Sequence, residues 1–149
     1  LLNLPPKHNQ MNILIVNGPN LNLLGTREPD IYGKTSMESF LENLREEFTQ
    51  SNIDFFQSNV EGELINRIQR DDFDALIVNL GAFTHYSYAL ADCLKNIPKL
   101  KIEVHISNIY RREEFRHKSV TAGNVDALLS GFGMNGYRLA VLHIVFKQE

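Results

Sequence analysis

The chain has 149 residues, 43% hydrophobic and 22% charged, which fits one soluble domain with a sizeable core. The formal net charge is -3, from 15 Lys and Arg against 18 Asp and Glu, so there is no basic field to hold a phosphate backbone and nucleic acid is set aside as a partner. One cysteine, Cys93, excludes an internal disulfide and a cysteine metal cluster, and no apolar run is long enough to span a membrane.

Residues 1–10, LLNLPPKHNQ, have no apolar core followed by a small-residue cleavage site, so they read as a flexible arm, not a secretory leader. A single domain over 11–149 is expected after them, with the cytoplasm as its location. Met11 to Asn17, MNILIVN, is right for a buried strand. The long Gly, Pro and Asn-rich segment GPNLNLLGTREPDIYGKTS follows, and loops of that length are often functional. Thr35 and Glu38 have capping-box spacing, ahead of a helix with Met37, Phe40, Leu41, Leu44 and Phe48 on one face. Ile53 to Gln57 reads as a second strand. Ser58 and Glu61 suggest another capping box, before a helix striped by Leu64, Ile65 and Ile68.

Asp74 to Leu80 is the third predicted strand, followed by the loop GAFTHYS and a helix to about Asn96. Cys93, in ALADCL, suits a buried apolar thiol. Lys101 to Ile106 is the fourth strand, and the polar segment SNIYRREEFRHKS follows it. Val125 to Ser130 is the fifth, and a last helix runs from Asn135 to Lys147 with Tyr137, Ala140, Val141 and Ile144 on one face. His143 is expected in the core with that helix, and His117 at the surface. Strands alternating with helices at this spacing predict βαβ units and a parallel sheet covered on both faces.

Ligands of such sheets bind beyond the carboxyl ends of the strands. Those ends carry Asn17, Asn20, Asn22, Arg27 and Tyr32 after strand one, and Asn79, Thr84 and His85 after strand three. His105, Ser107, Asn108, Arg111, Arg112 and Arg116 follow strand four. Alternation puts Glu103, His105 and Ser107 on one side of that strand, where a doubly covered strand should be apolar. His105 reads as a site residue against the plainer alternative of a hydrogen-bonded core histidine. Tyr32 is either a base helped by Arg27 or an anchor beneath the next helix.

No closely spaced metal-ligand set, Walker loop or G-x-S-x-G elbow is present. GFGMNG fits G-x-G-x-x-G but lies on the last strand-to-helix turn, so it reads as a tight turn and close helix packing. Arginines and asparagines around a pocket suit a small, anionic, hydroxylated ligand.

NGPNLNLLGTREPDIYG, NLGAFTHYSYALADC, EVHISNIYRREEFRHKS and the weaker GFGMNGY occur in order along nearly all of the chain from Met11. With these motifs the sequence resembles the type II 3-dehydroquinate dehydratases, or type II dehydroquinases. The resemblance implies a flavodoxin-like three-layer α/β/α fold with a five-stranded parallel sheet, and a homo-oligomer, usually a dodecamer built as a tetramer of trimers. It implies reversible dehydration of 3-dehydroquinate to 3-dehydroshikimate, by anti elimination through an enolate, without metal, nucleotide or Schiff-base lysine.

By the same resemblance Tyr32 is the base at C2, Arg27 holds it as phenolate, and Asn20 positions a water at the enolate. His105 is the acid at the C1 hydroxyl. Asn79 holds the substrate near C1 and helps to place His105. The Ile106 and Ser107 backbone donors, with the Ser107 hydroxyl, bind the carboxylate. His85 and Arg116 grip ring hydroxyls, and Asp92 reaches the neighbouring subunit's site. Arg112 resembles a lid arginine and Glu103 an orienter of the site. Leu80, Val120 and Asp126 depart from the residues usual in the family. A silent carboxylate-binding protein and a flavin or nucleotide domain are the competing readings of this fold.

Overall fold

Side chains along a strand point alternately to opposite faces, so a strand covered on both sides must be apolar throughout. Strand β1 (Met11–Asn17) meets that condition, with Ile13, Leu14, Ile15 and Val16 fully buried. Strand β3 (Ala75–Asn79) is buried at every position, as is β4 (Leu100–His105) beyond its first residue. Strands β2 (Ser51–Gln57) and β5 (Ala127–Ser130) form the edges. Asn52 and Asp54 of β2 face solvent on either side of buried Ile53. The computed structural model describes residues 10–25 and 36–147. The arm before it, Thr35, and the loop carrying Arg27 and Tyr32 lie outside the described residues.

All pairings are parallel, and the strand order is β2-β1-β3-β4-β5. This is the flavodoxin-like order, whose switch point lies between β1 and β3. Asn17 and Asn79 end those two strands in register with each other.

Two cores follow from the alternation. Ile13, Ile15, Ile77, Ile102 and Val104 pack with α1 (Met37–Glu47) and α4 (Asn135–Lys147). Leu14, Val16, Leu76 and Val78 pack in the second core with α2 (Glu61–Gln69) and α3 (Tyr88–Lys95). Cys93 is buried there, and burial pushes its thiol pKa up. Leu80 is fully buried in the same core. Lys101 spends its charge on the end of α3, its Nζ donating to the Leu94 carbonyl at 2.9 Å and to that of Ile97. Asp126 accepts the Lys101 N–H at 2.9 Å and so starts β4 in place.

Several boundaries differ from the sequence expectation. The α1 cap is Ser36, whose Oγ accepts the Ser39 N–H at 3.2 Å, one residue after the expected Thr35. Helix α2 starts after Val60, and Ser58 instead accepts the Val60 N–H and donates to Glu63. Glu61 takes part in no box of its own, but accepts from Ser87, the cap of α3, at 2.6 Å. A carboxylate three residues on can serve another helix, and spacing alone does not say which. Strand β5 starts two residues late because residues 122–124 coil into a 3-10 turn. His143 is exposed rather than in the core. The predicted face of α4, with Tyr137, Ala140, Val141 and Ile144, is the buried one, and His143 lies off it.

Candidate active site

One cleft opens at the carboxyl ends of β1, β3 and β4. Asn20, Asn79, His85, His105, Ile106, Ser107, Arg112 and Arg116 all line it. Glu103 lies directly behind it, fully buried. Asp92 does not line it, being exposed on α3. Arg27 and Tyr32 lie outside the described residues.

His105 ends β4, 6% exposed, and its Nε2–H donates to Glu103 Oε2 at 2.8 Å. The Glu103 carboxylate also accepts from Ser119 Oγ at 2.9 Å, Thr84 Oγ1 at 3.1 Å and Thr121 Oγ1. Burial by itself would raise its pKa. The hydrogen bonds from His105, Thr121 and Ser119, with the field of His105, outweigh burial and hold it below the usual carboxylate value. An ionised carboxylate only accepts, so Nε2 keeps its proton. Nδ1 is therefore the nitrogen of His105 that can exchange a proton with a ligand.

The second histidine is poised differently. His85 ends a 3-10 turn (Gly81–His85), and its Nδ1–H donates to the Lys118 carbonyl at 2.8 Å. Burial lowers its pKa; the Lys118 bond opposes this, and nearby His105 and Arg116 add to the lowering. It is thus neutral near pH 7, and its Nε2 is an acceptor suited to a hydroxyl. The two imidazoles lie nearly parallel, with centroids 6.4 Å apart. Arg116 pairs with Glu113 and lies over Phe115 at 4.7 Å.

The end of β4 is braced from the β5 side. Gly131 N–H donates to the His105 carbonyl at 3.1 Å and Gly133 N–H to the Ile106 carbonyl at 2.9 Å. Ser130 Oγ donates to the Ser107 carbonyl at 3.1 Å. Across a trans peptide the N–H opposes the C=O. The N–H groups of Ile106 and Ser107 therefore point away from that turn. This gives the GFG stretch a task beyond turning the chain.

The first loop is braced from the other side. Asn20 has φ 68°, the left-handed region, and such backbone in a non-glycine residue clusters at functional sites. Its N–H donates to Asn59 Oδ1 at 2.9 Å. Gln57 Nε2 donates to the same Oδ1 and to the Gly18 carbonyl, each at 3.1 Å. Gly18 is required here, since a Cβ would lie 2.3 Å from the Leu80 carbonyl oxygen. Asn79 bonds Tyr137 through Nδ2 and accepts from Gly81 N–H through Oδ1.

Sequence reading missed Gln57, Asn59 and Tyr137 as site residues. The first two were findable, because the strand-end rule applies to β2 as well as to β1, β3 and β4. Tyr137 was read as core, although a buried phenol needs a hydrogen-bond partner.

Comparison with known proteins gives one consistent family. The family model described as dehydroquinase class II matches residues 11–145. A 3-dehydroquinate dehydratase from Thermotoga petrophila is 51% identical over 142 residues, which covers 93% of this chain and 98% of that protein. Among solved structures, the type II dehydroquinase from Butyrivibrio crossotus superposes with a TM-score of 0.87 at 42% identity, covering 91% of this chain and 97% of its own. The type II dehydroquinase from Propionibacterium acnes gives 0.86 at 38%, covering 93% and 99%.

Proposed function

We infer that this chain, which belongs to the class II dehydroquinases, reversibly dehydrates 3-dehydroquinate to 3-dehydroshikimate. The observation that carries the assignment is the cleft lined together by His105, His85, Asn79, Asn20, Ser107 and Arg116, with buried Glu103 behind His105.

The reaction removes a proton alpha to a ketone and expels a hydroxyl from C1. Tyr32 is the proposed base, held as phenolate by Arg27. Charge builds on the ketone oxygen in the transition state, where a donor aimed at it helps most. A water held by Asn20 is the proposed donor. Hydroxide leaves poorly and needs an acid. His105 fits that role through Nδ1, because Glu103 holds the proton on Nε2. Protonated His105 gives the Nδ1 proton to the departing oxygen and is left neutral, still bonded to Glu103. The Ile106 and Ser107 N–H groups, with the Ser107 hydroxyl, suit the substrate carboxylate. His85 Nε2 and the Arg116 guanidinium suit ring hydroxyls as acceptor and donor.

The direct test is incubation with 3-dehydroquinate, followed by ultraviolet absorbance of the conjugated enone product. Growth of that absorbance is expected. Folded protein that binds the substrate without producing enone would favour a silent binding protein.

We also propose a homo-oligomer, at least a trimer and in full a dodecamer of four trimers. Asp92 supports it, being exposed on α3 and outside the cleft of its own chain. Tyr86, just before that helix, and Tyr88, its first residue, are 59% and 68% exposed, large apolar area for a free surface. Sedimentation of the active protein at micromolar concentration should give a species of three chains or more. A fully active monomer would refute it.

A further inference from the structure

Tyr137 joins the ends of two strands through one hydroxyl. Gly136 makes its approach possible, since a Cβ there would lie 2.9 Å from Val104 Cγ1. Helix α4 can therefore seat its first turn against β4 and carry Tyr137 to the switch point. There the hydroxyl donates to Asn17 Oδ1 at 2.7 Å and accepts from Asn79 Nδ2 at 2.9 Å. All three residues are buried. Burial pushes the phenol pKa up, against the two asparagine bonds, so the group stays neutral and has one proton to give.

The direction of this relay is set from outside it. Gly81 N–H donates to Asn79 Oδ1 at 3.3 Å, which leaves Nδ2 for Tyr137. The phenol must then spend its proton on Asn17 Oδ1. Among the described residues, Asn17 Nδ2 is consequently a buried donor with no partner. Turning both amides over would pair Asn17 Nδ2 with the phenol, but would set Asn79 Nδ2 against Gly81 N–H. An unpaired buried donor is destabilising and rare in folded proteins. Here it accompanies a fixed polarity at Asn79, which lines the cleft.

We propose that Tyr137 is a positioning residue for the dehydration: its hydroxyl, bonded between Asn17 and Asn79, locks the Asn79 amide at the cleft in the polarity that Gly81 sets. This rests on the dehydratase assignment. Tyr137 does not touch the reacting atoms. It acts on substrate binding through Asn79, and its loss leaves the longer 3.3 Å bond from Gly81 to hold that amide.

The test is a double-mutant cycle on KM and kcat with Tyr137→Phe and Asn79→Ala, beside the wild type. Tyr137→Phe keeps the ring and removes the hydroxyl. KM should rise about tenfold, the worth of one neutral hydrogen bond, with kcat nearly unchanged. In the Asn79→Ala background the same substitution should change KM less than about twofold, because partners in one network are not additive. Equal effects in both backgrounds, or an unchanged KM, would overturn the proposal. If Tyr137→Phe fails to fold, Asn17→Ala provides the second test, since it removes the phenol's acceptor, and its KM effect should likewise vanish without Asn79. A wild type that binds but never turns over 3-dehydroquinate would defeat the functional assignment instead. The cycle is then read in the affinity for 3-dehydroshikimate, and additivity there still refutes the relay.

Discussion

Glu103 has no exposed surface, yet it is held ionised by four donors. Replacing it with Gln leaves one acceptor oxygen and puts an N–H₂ among donors. Glu103→Gln should cost about 1–3 kcal/mol of stability for each buried donor left unpaired. It should also lower kcat at least about tenfold, because Nε2 of His105 is no longer obliged to keep its proton. Denaturant unfolding and the pH profile of kcat check the two effects, and unchanged turnover would exclude orientation by Glu103. At Tyr32 the expectation comes from chemistry. With a pKa of about 10, only about one phenol in a thousand is ionised at pH 7. Tyr32→Phe should lose at least about 100-fold in kcat while still binding a substrate-like inhibitor. Wild-type turnover in that variant would send the search for the base to His85 or His105.

At the scale of elements, the site depends on a close loop crossing. The β1 loop passes the β3 end where Gly18 N–H donates to the Asn79 carbonyl at 2.7 Å. Gly18→Ala would drive a methyl into the Leu80 backbone, which is not a flexible side chain that can swing aside. About 3 kcal/mol of destabilisation is expected, the upper end of ordinary overpacking costs. The asparagine after Pro19 would shift as well, so activity should fall further than the folded fraction does. A midpoint of unfolding within error of wild type would show that the strand ends can part. Element order was readable, because the inner strands are apolar runs and each helix has a striped face. Caps were less readable. Thr35 with Glu38 and Ser58 with Glu61 both have the right spacing, but the bonds formed are Ser36 to Ser39 and Ser58 to Val60. Two adjacent hydroxyl residues offer the backbone nearly equal caps, and the approach of the chain decides between them.

At the scale of the molecule, acid should weaken the fold in two stages. Burial holds the folded His85 pKa below its ordinary value. As pH falls through about 6.5, the unfolded chain therefore takes the proton first, and stability declines until the folded value is reached. Glu103 is held below the ordinary carboxylate value. Its contribution is complete above about pH 4.3 and is lost as pH falls from there through the folded value. Thermal unfolding from pH 8 to pH 3 should display both declines, and His85→Gln should remove the first. A constant Tm between pH 7 and pH 5 would contradict the His85 assignment.

The sequence by itself determined the parallel α/β architecture, the carboxyl-end location of the polar residues and the family. Those properties are local: runs, stripes and motifs of contiguous residues. Asn20, Asn79, His85, His105, Ser107 and Arg116 could be named as site residues because each sits in such a motif. Only the tertiary structure decided what holds them. Glu103 is clasped by Thr84, Ser119 and Thr121, the Asn20 loop by Asn59, and Asn79 by a tyrosine 58 positions away. A hydrogen bond between distant segments depends on how closely two elements pack, and here that distance is set by glycines at 18 and 136 whose missing side chains matter only once the chain has folded.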